Sequence, residues 1–235
     1  VGDLSEAFSI AFHLLTSFDD ELCAIIALSL KVSLTAVAIS CFFGFLTGAA
    51  LCVYRFPGKQ LIVIIINALM GLPPVVVGLC VYLLLSRSGP LGVFGLLYTP
   101  TAMIIAQVLL ITPLIAALSL QVLQQMHREY DEFFRSLHLS PMAKLRTLLW
   151  DARFGLVIVG LAGFGRAISE VGAVMIVGGN INHLTRIMTT AIALETSKGT
   201  LALALALGII LIGFSISVNA AVMFLRQATS DEKYA

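Results

Sequence analysis

A chain of 235 residues that is 59% hydrophobic, 11% charged and nearly neutral at net +1 departs from soluble domains, which run near 45–50% apolar and about 25% charged. Its mean hydropathy is +1.02, and several uncharged windows of about 20 residues suffice to cross a hydrocarbon core about 30 Å thick. This composition argues against a soluble enzyme or a nucleic-acid binder. It points to an all-α membrane protein, read as one domain over 1–235 because no internal repeat or low-complexity linker interrupts it.

In chain order, the opening VGDLSEAF has no basic start and no small-residue cleavage site, so no secretory signal is expected there. Residues 5–18 place apolar side chains on one helical face and stop at Asp19, Asp20 and Glu21. That pattern predicts an interfacial helix too short to span. A first span is predicted within about 24–53, closed by Pro57 and Gly58 and anchored by Arg55 and Lys59. A second is predicted at about 61–86 and a third at about 101–124. The stretch over 125–150 is too charged to cross. A fourth apolar stretch covers about 147–178 and a fifth about 200–225, giving about five transmembrane helices plus the N-terminal interfacial helix. The cysteines at 23, 41, 52 and 80 lack metal-ligand spacing and are expected to be buried small hydrophobes; no metal site is predicted.

Basic residues orient the spans. Arg55, Lys59, Arg128, Arg135, Lys144, Arg146, Arg153, Arg226 and Lys233 fall on one side, and Arg87, Arg186 and Lys198 on the other. The positive-inside rule then places the C-terminus and the 125–150 loop in the cytoplasm and the N-terminus outside.

Three features carry chemistry. Pro73 and Pro74 interrupt the second span, and neither has an N–H, so the carbonyls of Leu69 and Met70 are expected to lose their helical partners. Freed carbonyls at that depth need protein or a wet cavity over them. The break is either a plain kink or a bend lining a passage.

The second feature is FGRAISEVGA (164–173), which puts Arg166 and Glu170 in an otherwise uncharged run. A helix through this segment would set the two on one face. A charge at the bilayer centre costs about 2.5–3.5 kcal/mol on insertion scales, and two apolar residues would avoid that cost. The pair is therefore either a clamp to a neighbouring helix or part of a polar conduit. Gly165, Gly172 and Gly179, at seven-residue spacing, are expected to form a thin stripe beside it. Ser169, Asn67, Gln107 and Thr112 are candidate neutral donors along the same path.

The third is EYDEFFRSLHLSP (129–141), acidic at its start and predicted to set Phe133, Phe134 and Leu137 on one side of a short helix. Exposed phenylalanines on such a loop either pack back on the bundle or enter a groove on a partner. No G-x-x-x-x-G-K-[ST] phosphate loop, H-E-x-x-H or Ser-His-Asp order occurs, so ATP chemistry would have to come from another chain.

The blocks YRFPGK, NALMGLPPVVVGLCVYLLLSRSGPLG, YTPTAMIIAQ, FGRAISEVGAVMIVGGNI and TRIMTTAIALETSKG resemble the permease subunits of ABC importers of type I architecture, and within them the tungstate group of the molybdate/tungstate/sulfate branch. The family's cytoplasmic pattern E-A-A-x-x-x-G maps onto Glu132-Phe133-Phe134 with His138 at the glycine position and Asp151 near the usual proline. The resemblance implies a transport subunit, not an enzyme, in a prokaryotic plasma (inner) membrane. It implies two permease copies around a central path and two cytoplasmic ATPase subunits that hold the ATP. Each ATPase would receive a coupling segment including Asp131, Glu132, Phe133, Phe134, Leu137 and His138. An extracytoplasmic binding protein would deliver the oxyanion, and no cofactor would be bound by this chain. Molybdate or sulfate as cargo, a proton-coupled carrier using Glu170, and a membrane scaffold are the competing readings.

Overall fold

The computed structural model describes residue 12 and residues 20–231, with side chains through Phe224. The predicted interfacial helix over 5–18 lies outside the described residues apart from Phe12, as does the tail beyond 231. Among the described residues there is no strand, and ten α-helices follow one another between 20 and 231. They are α1 Asp20–Val53, α2 Lys59–Met70, α3 Pro74–Leu85, α4 Pro100–Glu129, α5 Asp131–Ser136, α6 Pro141–Asp151, α7 Arg153–Ile168, α8 Gly172–Gly178, α9 Met188–Lys198 and α10 Leu201–Asp231. Three of these are long and apolar enough to cross a membrane (α1, α4 and the Leu201–Phe224 part of α10), or up to five spans if the bent pairs α2/α3 and α6/α7 each count once.

The chain divides into two compact units: residues 1–36, 73–107 and 165–217, and residues 37–72, 108–164 and 218–235. In the first, α3 packs on α8. They meet at van der Waals distance because Gly78 has no side chain; a Cβ there would lie 2.8 Å from the Ala173 Cα. The same unit ties α1 to α9, where the Met188 N–H donates to Ser29 Oγ at 2.8 Å.

In the second unit, the later part of α1 packs on α4 through Gly44 and Gly48. A Cβ on Gly44 would lie 2.7 Å from Ile115 Cγ2, and one on Gly48 would collide with Ser119 Oγ. Ser119 Oγ donates to the Gly44 carbonyl at 3.2 Å across that contact. Small residues four apart let membrane helices approach and bond in this way. A core of Ala49, Leu51, Leu120, Leu123, Phe134, Leu148 and Leu156 fills the rest of the unit.

The predicted spans differ from these helices in three respects. The second is split, α2 ending at Met70 and α3 beginning at Pro74 with Pro73 extended at φ −61° and ψ 126°. The Leu69 carbonyl is not left free, since the Leu72 N–H donates to it at 3.3 Å. The fourth apolar stretch is also split, its first residues ending α6 and the rest forming α7 and α8, with no proline between α7 and α8. Gly165, Gly172 and Gly179 therefore form no common stripe; Gly172 opens α8, and Gly179 closes it at φ 69°. Finally, Cys52 is buried but Cys23 and Cys41 are half-buried and Cys80 is exposed, so the cysteines are not a uniformly buried set.

Candidate functional site

Arg166 lies in the last turn of α7 and Glu170 in the three-residue break before α8. They meet at 3.3 Å, Arg166 Nη2 to Glu170 Oε2, with Glu170 5% and Arg166 43% exposed. The pair is one-sided: the carboxylate is sealed and the guanidinium retains accessible donors. Glu170 is not on a continuous helix with Arg166, as the sequence suggested; it caps the next one. Its Oε1 accepts from the Ala173 N–H at 3.3 Å, so both carboxylate oxygens have partners.

Side chains distant in sequence satisfy the backbone at this break. The Ala167 carbonyl accepts from the Glu170 N–H at 3.3 Å and from Gln107 Nε2 at 3.1 Å. The Glu170 carbonyl accepts from Thr189 Oγ1 at 2.8 Å. Ser169 donates to the carbonyls of Gly165 and Arg166 at 3.0 and 3.1 Å, turning its hydroxyl back on α7. Gln107 is fully buried, and its Oε1 has no hydrogen-bond partner among the described residues. Arg166, Ser169, Glu170 and Gln107 thus form one polar cluster in the first unit. Thr189 completes it; sequence reasoning missed this residue because only the tertiary fold brings α9 to the break.

Asn67 and Thr112 belong to the second unit. Asn67 Nδ2 donates to the Val63 carbonyl at 2.9 Å on the exposed face of α2. Thr112 Oγ1 donates to Ser40 Oγ at 3.2 Å, one residue before Pro113, which lies inside α4 without ending it.

The loop residues over 131–138 are held by the second unit's core. Phe134 is fully buried, with its ring 5.7 Å from Tyr130 and 5.8 Å from His127 and Lys144 Nζ 5.8 Å above it. Phe133 and Leu137 are 57% and 53% exposed. The three therefore do not share a side. Positions 133 and 137 align along a helix, whereas 134 is rotated by about 100° into the core. Asp131 pairs with Arg135 at 2.7 Å, and Glu132 is exposed. His138 adopts φ 50°, the left-handed conformation that glycine adopts without strain.

Residues 40–231 match the family described as "Binding-protein-dependent transport system inner membrane component". The chain is 41% identical over 224 residues to the "Tungstate uptake system permease protein TupB" of Peptoclostridium acidaminophilum, covering 95% of this chain and 98% of that one. It is 44% identical over 205 residues to a "Probable anion ABC transporter permease protein" of Haloferax volcanii, covering 85% and 88%. It is 26% identical over 178 residues to the "Sulfate transport system permease protein CysW" of Escherichia coli, covering 71% and 60%.

Proposed function

The chain belongs to the family of inner membrane components of binding-protein-dependent transport systems, and on that premise we propose that it is the permease subunit that passes tungstate into the cytoplasm. The observation that carries this reading is the 41% identity to a tungstate uptake permease along almost the whole of both chains. In this reading two copies enclose the path, two cytoplasmic ATPase subunits hydrolyse the ATP, and an extracytoplasmic protein delivers the oxyanion. The N-terminus lies outside and the C-terminus inside, as the basic residues favour.

The polar cluster is compatible with an anion path. A fixed bare cation would hold a dianion too tightly to release it, while conduction needs weak, multi-site binding. Arg166, half-neutralised by a buried carboxylate and still accessible, supplies a moderated positive field. Within the same unit, Ser169 and Gln107 are the neutral groups assigned to the path beside it. Reconstitution with the cognate ATPase and candidate binding proteins tests the cargo. Tungstate uptake should exceed molybdate and sulfate uptake and should stop without ATP; uptake that persists without ATP would point to a secondary carrier instead. In that system Arg166→Gln should cut tungstate uptake by about tenfold or more, the kinetic equivalent of about 1.4 kcal/mol, in an importer that assembles normally. Undiminished uptake would remove Arg166 from the path.

The same system tests coupling. Phe133 and Leu137 present an exposed apolar pair of the spacing used for helix-in-groove docking, with Asp131, Glu132 and His138 around it. Phe133→Ala should leave the melting temperature of the isolated permease unchanged while separating ATP hydrolysis from uptake. A variant that couples normally would rule out this face as the contact.

A further inference from the structure

We propose that the loop joining α3 to α4 forms a low-affinity receiving site for a tetrahedral oxyanion at the outer mouth of the permease, with Arg87 as its single charge and the hydroxyls of Ser88, Tyr82 and Tyr98 as its neutral donors. The site rests on the permease reading and its orientation, and it lies entirely within the first unit. These side chains line a cavity of about 610 Å³, room for about 20 waters at about 30 Å³ each. None of its lining residues is acidic.

Two observations mark the cavity as a built feature. The loop wraps so tightly that a Cβ on Gly89 would strike the Leu83 carbonyl and one on Gly92 the Ser86 carbonyl. Ser86 Oγ donates to the Leu83 carbonyl at 3.1 Å and lies 3.3 Å from Ser88 Oγ, so it anchors the Ser88 hydroxyl beside Arg87. At the opposite wall Tyr98 is held at φ 62°, a left-handed conformation that strains a non-glycine residue. It is kept there by its N–H, which donates to the Val177 carbonyl at 3.0 Å, and by its ring, which packs where Gly179 leaves room. The rings of Tyr82 and Tyr98 pack edge to face at 6.4 Å. Strain of this kind persists where the surroundings over-determine it and gathers at ligand sites.

The chemistry selects the ligand class. A guanidinium offers five donors in a fixed fork suited to an oxyanion, and hydroxyls satisfy the remaining oxygens without adding charge. A cavity this roomy leaves the ion partly hydrated, so binding is weak. One cation with no opposing carboxylate raises the local anion concentration without forming a trap.

The test uses the assembled importer in nanodiscs without its binding protein, made once with zwitterionic lipid alone and once with anionic lipid added, and measures tungstate retention by equilibrium dialysis. Wild type should retain tungstate at low salt in zwitterionic discs, and Arg87→Gln should weaken retention about tenfold while docking of the binding protein is unchanged. Arg87→Lys should retain an intermediate affinity. Absence of retention in wild type, equal retention in Arg87→Gln, or loss of binding-protein docking with retention unchanged would each overturn the site. Retention that disappears when anionic lipid is added would assign the cavity to headgroup phosphates and overturn it as well. An importer that moves no oxyanion under any condition would instead refute the permease reading beneath it.

Discussion

Two helix breaks in this chain are built on opposite principles. Between α2 and α3 the interruption is local: the Gly71 N–H returns to the Ala68 carbonyl at 3.1 Å, that of Leu72 to Leu69 at 3.3 Å, and the Pro73 carbonyl takes the Val76 N–H at 3.0 Å. Proline and its neighbours complete that turn with backbone alone. Between α7 and α8 there is no proline; the Glu170 N–H and the Ser169 hydroxyl close part of the break locally, and side chains far along the chain, Gln107, 60 residues away, and Thr189, 19 residues away, supply the rest. Pro113, meanwhile, sits inside α4 without breaking it. Proline is thus neither necessary nor sufficient for a break; what decides is where the orphaned carbonyls find donors.

This contrast predicts different fragility. Glu170→Ala should have the largest effect, because it strips the Ala173 N–H of its acceptor and Arg166 of its partner in one change. The expected loss is about 2 kcal/mol, the scale of a hydrogen bond to a charged group; the exposed Arg166 guanidinium keeps the loss below that for a fully buried pair. Thermal melting of the purified importer reads it. An unchanged melting temperature would mean that the second break is as self-contained as the first.

A smaller effect is expected from Gln107→Leu, about 1 kcal/mol, in the range of interhelical hydrogen bonds in membranes. Thr189→Val should cost a similar amount. Because both hold the same three-residue break, the double variant should depart from the sum of the singles by at least about 0.5 kcal/mol. Strict additivity in melting experiments would show that the two donors act independently and that the break has no shared mechanics.

Much of the architecture was legible in the sequence for physical reasons specific to particular residues. Uncharged runs must become spans in lipid, and Pro73 and Pro74 must disturb one of them, so the helical class, the number of apolar stretches and the first break could be read directly. The second break could not, since its remote donors lie on α4 and α9 and nothing near Ser169 announces them. The Arg166–Glu170 contact was legible from spacing, but the burial of Glu170 and the exposure of Arg166 were not. Gly44 and Gly48 did carry a signal, a small-x-x-x-small pattern in GFLTG, that explains the close packing of α1 on α4. The loop over 131–138 was recognised as apolar on one face, yet Phe134 turns inward, because a 100° step per residue separates it from Phe133. No local rule tells which of two adjacent phenylalanines faces the core.

A third junction, α9 to α10, is closed by glycine, and it supplies the smallest and most conditional effect. Gly199 takes φ 82°, its N–H and that of Thr200 return to the carbonyls of Thr196 and Glu195 at 3.2 and 3.0 Å, and the backbone alone completes the turn. The side chains add a neutral bond, from the Thr200 hydroxyl to the Glu195 carbonyl at 3.1 Å, and an electrostatic contribution. The Thr200 hydroxyl bonds to the Glu195 carboxylate, with Lys198 Nζ at 3.0 Å. The Thr200 hydroxyl first, and Lys198 with it, hold the Glu195 carboxyl below its ordinary value against the burial that pushes it up. A depressed folded value stabilises the protein above the unfolded carboxyl's range, about pH 4.3, and that stabilisation fades as pH falls through the folded value. Thr200→Val should therefore lower the melting temperature by about 1 °C at pH 7, the scale of a few tenths of a kcal/mol, and by progressively less as pH is lowered through 4. If the deficit is the same at both ends of the range, the hydroxyl acts as a neutral part of the turn. The glycine junction would then match the proline one, closed by local geometry and indifferent to charge.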